Sequence, residues 1–349
     1  KAVLDYFGDD LHPGDVILTN DPYKGGNTHL PDWGFIRPIF YEGELLFFTM
    51  VRGHQQDTGG AFPGGYFPNS YVIHGEGLRI PPIKVFENDI ERKDVMRLIW
   101  CNVRWPEAVR VDNYAMVATT RFAETRMHKV LKRYGKETVL ACIQEMLART
   151  ERAVRAEIAA IPDGTYSGEA ATDDDGTVLD EKVWVRVDLT VKGDSLTADF
   201  SRSDAQRKGC VNCPYAASYA IAVGSMMPFF DPALADFHNE GSLRPITVIT
   251  PPGSVVNPRY PATVGAAPVN VGNQIAASVG QALSKARPER AMAAWAKHRG
   301  HYVFGIDPRT SERYVQTSFD YDGSGGAVAG YDGYQGISSL TAMGAVTRG

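Results

Sequence analysis

The sequence is short of cysteine, of long apolar runs and of excess charge, and each shortage removes a class of protein. Four cysteines in 349 residues (Cys101, Cys142, Cys210, Cys213) are too few for a disulfide framework at this size, so a reducing, cytoplasmic setting is expected. Cys210 and Cys213 have C-x-x-C spacing but no second pair or histidine pair beside them, which favours packed loop residues over a zinc site. Nothing approaches the roughly 18 uninterrupted apolar residues of a membrane span. The net charge is only −5, with acids and bases interspersed and no basic stripe carrying aromatics. Neither nucleic acid nor an anionic membrane surface is therefore an expected partner. A phosphate-cradling G-x-x-x-x-G-K-[ST] loop and a G-x-G-x-x-G turn are also missing, and the glycine-rich residues 322–326, expected to form a flexible loop, resemble neither.

What is present is a 44% apolar chain long enough to bury a sizeable core, expected as two packed lobes. Between residues 20 and 60 lie two histidines and three aspartates in turn-forming sequence: Asp21, His29, Asp32, His54 and Asp57. Residues 33–40 read as a strand, residues 41–43 as a turn and residues 44–51 as the returning strand. Antiparallel pairing about that turn puts Asp32 opposite His54, with side chains about 5 Å apart. His29 is three residues upstream of Asp32. Imidazole, carboxylate and imidazole thus meet at the open end of one hairpin, a facial ligand set suited to zinc, manganese or iron with positions left open. Asp21, in Asn20-Asp21-Pro22, is a further candidate ligand, although that tripeptide is also ordinary turn chemistry.

Along the chain, residues 1–92 read as a β-rich region carrying the polar cluster, residues 93–162 as a helical hairpin and residues 163–349 as a mixed α/β region. The fold class expected is mixed α/β (α+β), with covered sheets over 13–90 and 164–260 and unreadable strand order. Apolar residues on both sides of 45–48 suggest a covered sheet. Helical spacing marks 111–134 and 137–161, with Gly135 as the stop between them. Alternation over 183–191 and 196–200 reads as a hairpin, residues 215–227 and 273–286 as small-residue helices, and 245–250 as a strand. Asp173, Asp174 and Asp175 read as a solvated turn. The chain opens as if mid-helix and stops at 345–349 without terminal character, as a segment of a longer polypeptide would.

The succession Thr19-Asn20-Asp21-Pro22-Tyr23, Thr28-His29-Leu30-Pro31-Asp32, His54-Gln55-Gln56-Asp57-Thr58-Gly59-Gly60 and Glu76-Gly77-Leu78-Arg79-Ile80-Pro81-Pro82 resembles the hydantoinase B/oxoprolinase family. The pieces Ile161-Pro162-Asp163-Gly164-Thr165-Tyr166, Asp199-Phe200-Ser201 and residues 248–258 agree in the same order. That resemblance implies a metal-carrying B-type subunit working with an ATP-binding A-type partner that holds ATP and magnesium and phosphorylates a carbonyl oxygen. It would explain a chain with a ligand cluster and no nucleotide motif. Carried over by position, His29, Asp32 and His54 match the metal ligands of the carboxylase members.

Two activities follow from the resemblance. One is ATP-dependent hydrolysis of a cyclic amide (a hydantoin, oxoproline or lactam), with Asp57 orienting a ligand or acting as base and His74 and Glu76 lining the pocket. The other is ketone carboxylation of the acetone or acetophenone carboxylase type, with a third small subunit. Gly53-His54-Gln55, where many hydantoinase members have Ala-His, leans toward the carboxylase side.

Overall fold

The computed structural model describes residues 1–294, 299–321 and 325–333, so residues 322–324 of the glycine-rich loop and the terminal stretch 345–349 lie outside the described residues. The chain is mixed α/β and gathers into two compact units. Residues 1–140, 263–265 and 302–317 form one, and most of the other is residues 141–262 and 266–301.

The first unit is built on an antiparallel five-stranded sheet. Its strands are β1 (Val16–Thr19), β2 (Asp32–Tyr41), β3 (Glu44–His54), β4 (Ile83–Glu87) and β5 (Ile90–Glu91), in spatial order β3-β2-β1-β4-β5. The β2–β3 hairpin turns at Glu42 and Gly43, whose φ values of 54° and 83° suit a two-residue turn matched to strand twist. A register shift at Ile39/Phe40 leaves Asp32 opposite His54, the pairing expected from the sequence.

Alternation sorts the sheet into two faces. On one, Val16, Leu18, Trp33 and Phe35 pack with Met96 and Ile99 of α2 (Lys93–Trp100) and with Val109, Met116 and Val117 of α3 (Pro106–Tyr134). Arg37, also buried on this strand, ion-pairs with Glu124 of α3 and with Asp89, both at 2.6 Å. On the other face Ile17 joins Leu11 and Val3, the latter from α1 (Ala2–Phe7). A six-residue helix spans only about 9 Å, and the edge strand β3 runs past it, leaving Phe48 and Met50 37% and 46% exposed. The cover expected over residues 45–48 is partial on this edge strand: Leu45, Leu46 and Phe47 are half-buried and Phe48 is exposed.

The helical region begins earlier than the periodicity suggests. α2 was not anticipated, and α3 starts at Pro106, a residue suited to the first helical turn because its missing N–H would be unpaired there anyway. Gly135, at φ 83°, separates α3 from α4 (Lys136–Ala159).

The second unit holds a four-stranded sheet ordered β6-β7-β8-β9: β6 (Gly164–Thr172), β7 (Val183–Lys192), β8 (Ser195–Asp199) and β9 (Ile246–Ile249), antiparallel except for the parallel pair β8/β9. Strict burial alternation along β7 gives its sequence pattern. Helix α5 is Tyr215–Met226, and the small-residue helix α6 (Val271–Ala286) lies on β6 so closely that a Cβ on Gly168 would meet Ser278 O at 1.9 Å. Asp175 closes its turn by accepting from the Thr177 and Val178 backbones, so the three adjacent acids do not converge. Cys210 and Cys213 are buried, and burial pushes the Cys213 thiol up to about 12. A two-stranded ribbon, β10 (Arg299–Ile306) and β11 (Arg313–Tyr321), occupies sequence for which no element was anticipated.

Candidate metal centre

Side-chain amides shape the loop that carries the first histidine. Asn20 donates to the carbonyls of Leu30 and Leu78 and accepts from the Ile80 backbone, tying the end of β1 to two loops at once. Asn27 donates to the carbonyls of Asn20 and His29 and to that of Asp32. With both ends of the loop held, His29 is presented toward the mouth of the β2–β3 hairpin.

There His29, Asp32 and His54 converge, with one ligand atom from each lying within 4.8 Å of the others. His29 Nε2 is 3.1 Å from Asp32 Oδ2, and His54 Nδ1 is 3.2 Å from Asp32 Oδ1. The Thr28 hydroxyl also donates to Asp32 Oδ2. The His29 side chain is only 3% exposed, whereas Asp32 and His54 retain 18% and 23%, so the cluster is approachable from one side. Tyr66 braces both rings, edge-on to His29 at 5.7 Å and stacked on His54 at 6.1 Å between centroids.

The hydrogen bonding of His29 fixes its tautomer. Nδ1 lies 2.8 Å from the Gly265 carbonyl, which can only accept, so Nδ1 carries the proton. In the neutral ring Nε2 is then a lone pair facing a carboxylate oxygen at 3.1 Å. Two electron-rich atoms hold that separation only with a positive centre between them, a proton or a metal cation. The titration directions agree. Burial alone would lower the His29 pKa, but Asp32, the Gly265 carbonyl and Glu76 outweigh it and raise it. Burial would likewise raise the Asp32 pKa, but the two histidines and Thr28 hold its carboxyl well below the usual range. Two imidazoles and one carboxylate, with one tautomer fixed by a backbone carbonyl, form a donor set that fits a divalent transition metal.

The other acids named from the sequence are engaged elsewhere. Asp21 accepts from the backbones of Tyr23 and Lys24 and lies 3.0 Å from Arg79 Nε, so it does not join the cluster. Asp57 is fully buried and accepts from the Gly59, Gly64 and Arg104 backbones and from Arg104 Nη1, which makes it the anchor of its loop. His74 is exposed on a short 3₁₀ turn. Glu76 is buried and accepts from the backbones of Val264 and Gly265, the latter at 2.7 Å. It acts on the cluster through Gly265, whose carbonyl fixes His29. Sequence reasoning missed Thr28, Tyr66, Arg104 and Gly265; only the adjacency of Thr28 to His29 and of Tyr66 to a glycine-rich turn hinted at two of them.

A family description, hydantoinase B/oxoprolinase, matches residues 1–347. The beta subunit of caprolactamase from Pseudomonas jessenii is 34% identical over 352 residues, covering 100% of this chain and 60% of the relative. The crystal structure of the ATP-dependent caprolactamase from the same organism superimposes with a TM-score of 0.89 at 33% identity, covering 97% of this chain and 58% of that one. A nucleotide-free acetone carboxylase structure has the same fold, with a TM-score of 0.89 at 21% identity over 99% of this chain and 49% of the other. The chain thus spans less than two thirds of the length of each of these relatives.

Proposed function

The chain belongs to the hydantoinase B/oxoprolinase family, and from that premise we propose that it is the metal-binding B-type part of an ATP-dependent cyclic-amide hydrolase. It works with an ATP-binding A-type subunit. The observation that supports the reading is the convergence of His29, Asp32 and His54, with one ligand atom from each within 4.8 Å of the others, at a cluster still partly open to solvent. The likeness to a caprolactamase subunit, 34% identical over the whole chain, supports the hydrolase; likeness to an acetophenone carboxylase delta subunit, 30% identical over 219 residues, covers 62% of the chain.

A cyclic amide resists attack because resonance stabilises its carbonyl. Phosphorylation on the partner subunit would turn that carbonyl oxygen into a leaving group. His29, Asp32 and His54 would hold the divalent metal, which supplies Lewis-acid activation when bound. This chain's own contribution is placement. Glu76 orients the Gly265 backbone, Gly265 fixes the His29 tautomer, and Tyr66 holds the planes of both imidazoles. Asp57 and Arg104 keep the loop over residues 57–64 in shape.

The test uses the full-length protein co-expressed with its A-type subunit. ADP release that depends on a lactam or hydantoin ring, without bicarbonate, is the expected result. A requirement for bicarbonate would transfer the assignment to a ketone carboxylase. His54→Ala should remove metal and turnover together. His128→Ala should remove neither, because His128 bonds the Phe40 carbonyl at the turn end of the hairpin, about 25 Å of strand away.

A further inference from the structure

The open face of β3 leads from the cluster into a cavity. Side chains alternate along a strand, so His54, Arg52, Met50 and Phe48 share one face, and cross-strand pairing adds Asp32, Gly34 and Ile36 from β2. On this face a cavity of about 370 Å³ is floored by Ile36, Phe48 and Met50, bordered by Thr19 and Gly26, and topped by Arg52. Its size lies within the range of small-molecule sites. Gly34 stands opposite Arg52 and the Met50 side chain lies over it, a Cβ there meeting Met50 Cε at 3.0 Å, so Met50 and Arg52 stand between the cavity and His54, about 7 Å along the strand. The loop that walls the cavity at Gly26 and Asn27 continues directly into Thr28 and His29.

Arg52 is exposed at the rim of this cavity, whose lining at the head of α1 includes a second cation, Lys1. The buried guanidinium of Arg37 and those of Arg79 and Arg104 each meet a carboxylate, but no carboxylate among the described residues pairs with Arg52. A cation without an internal counter-ion, set between an apolar floor and a metal-ligating face, is charge-complementary to an oxyanion on an aliphatic ligand.

Resting on the reading above, we infer that this cavity takes the aliphatic body of the substrate and that Arg52 binds an anionic group on it, setting specificity. The oxyanion is either a carboxylate of the substrate or the phosphoryl group placed on it by the partner subunit. Both demand the same guanidinium geometry.

Binding to the full-length protein is measured first, by saturation-transfer NMR and calorimetry. The probes are 5-oxoproline, its decarboxylated counterpart pyrrolidin-2-one, and inorganic phosphate. These readings need no turnover, so they stand even if the hydrolase assignment fails. Arg52→Gln should weaken the anionic probe that binds by about tenfold, the loss of one charge-assisted contact. Met50→Trp, which fills the cavity from an exposed position, should weaken the two ring compounds and spare phosphate. Metal content should be unchanged in both variants. A loss for 5-oxoproline assigns Arg52 to a substrate carboxylate, whereas a loss for phosphate assigns it to the phosphoryl group. If neither anion binds, or if binding is the same in wild type, Arg52→Gln and Met50→Trp, the inference is overturned.

Discussion

Replacing Glu76 with glutamine separates a residue that acts on the candidate metal centre from one that only holds a loop. The Glu76 carboxylate is fully buried and receives the backbone N–H groups of Val264 and Gly265, at 3.0 and 2.7 Å. Hydrogen bonds to an ionised group contribute about 1.5–3 kcal/mol each. A glutamine oxygen in the Oε1 place can still accept from both backbones, but the NH₂ group replaces Oε2 beside the Val264 N–H and the charge that strengthens both bonds is gone. A destabilisation of about 1.5–3 kcal/mol is expected. The second consequence is the diagnostic one. The Gly265 carbonyl is the acceptor that fixes His29, so loosening its backbone should lower metal affinity, by less than the about 10–100-fold that losing a ligand's direct partner costs.

Asp57→Asn is the matched control, since Asp57 is equally buried and accepts four hydrogen bonds, none from a group that touches His29, Asp32 or His54. It should lose comparable stability while keeping its metal. Chelator competition gives the affinity and denaturant unfolding gives the stability of the same two variants. If both lose metal in proportion to their stability, or if Glu76→Gln keeps its affinity, the link through Gly265 is wrong.

Gly265→Ala should act like Glu76→Gln, because a Cβ there would come 2.9 Å from Glu76 Oε1 and 3.1 Å from the Gly65 carbonyl; unchanged metal affinity would count against it. Thiol titration of the native protein should find Cys101 and Cys142 reacting promptly and Cys210 and Cys213 only after unfolding, since the latter pair is buried and the Cys213 pKa is pushed up to about 12. For the metal-free protein, the raised His29 pKa gives stability that is full below about pH 6.5 and is lost as pH rises through the folded value. The lowered Asp32 pKa gives stability present above about pH 4 and lost on acidification. Unfolding from pH 4 to 9 should therefore show the stabilisation by added metal growing with pH, because the cation displaces the proton that His29 holds; a gap that shrinks with pH would contradict the cluster's assignment.

The hairpin and its three converging side chains were legible because one turn and a period of two fix a distance. Asp32 and His54 are 22 residues apart, yet the register alone places them opposite each other. The Glu76–Gly265 link had no such cue, being a contact across 189 residues made to a backbone group that any sequence carries. Asp21 and Asp57 were visible as acids, but Arg79 and Arg104 reach them only through tertiary packing. The start of α3 was read late because residues 106–110 add only Val109 to its buried face. The partial cover of β3 was not legible because apolar residues facing a covering layer and apolar residues facing a cavity look alike in one dimension.

What sorts the seven candidate residues is how far the protein itself satisfies each one. A carboxylate already receiving four donors, as Asp57 does, cannot accept a proton or a metal without breaking bonds that hold its loop. Glu76 is committed to backbone donors and Asp21 to an arginine and a turn. His29 and Asp32 instead face each other with lone pairs, a repulsive arrangement in a buried setting unless a cation or proton intervenes. Burial of a polar group does not by itself mark it as functional. The geometry that does so here is incomplete satisfaction maintained by neighbours that are fully satisfied: Asn27 and Thr28 on one side, and Glu76 with Gly265 on the other.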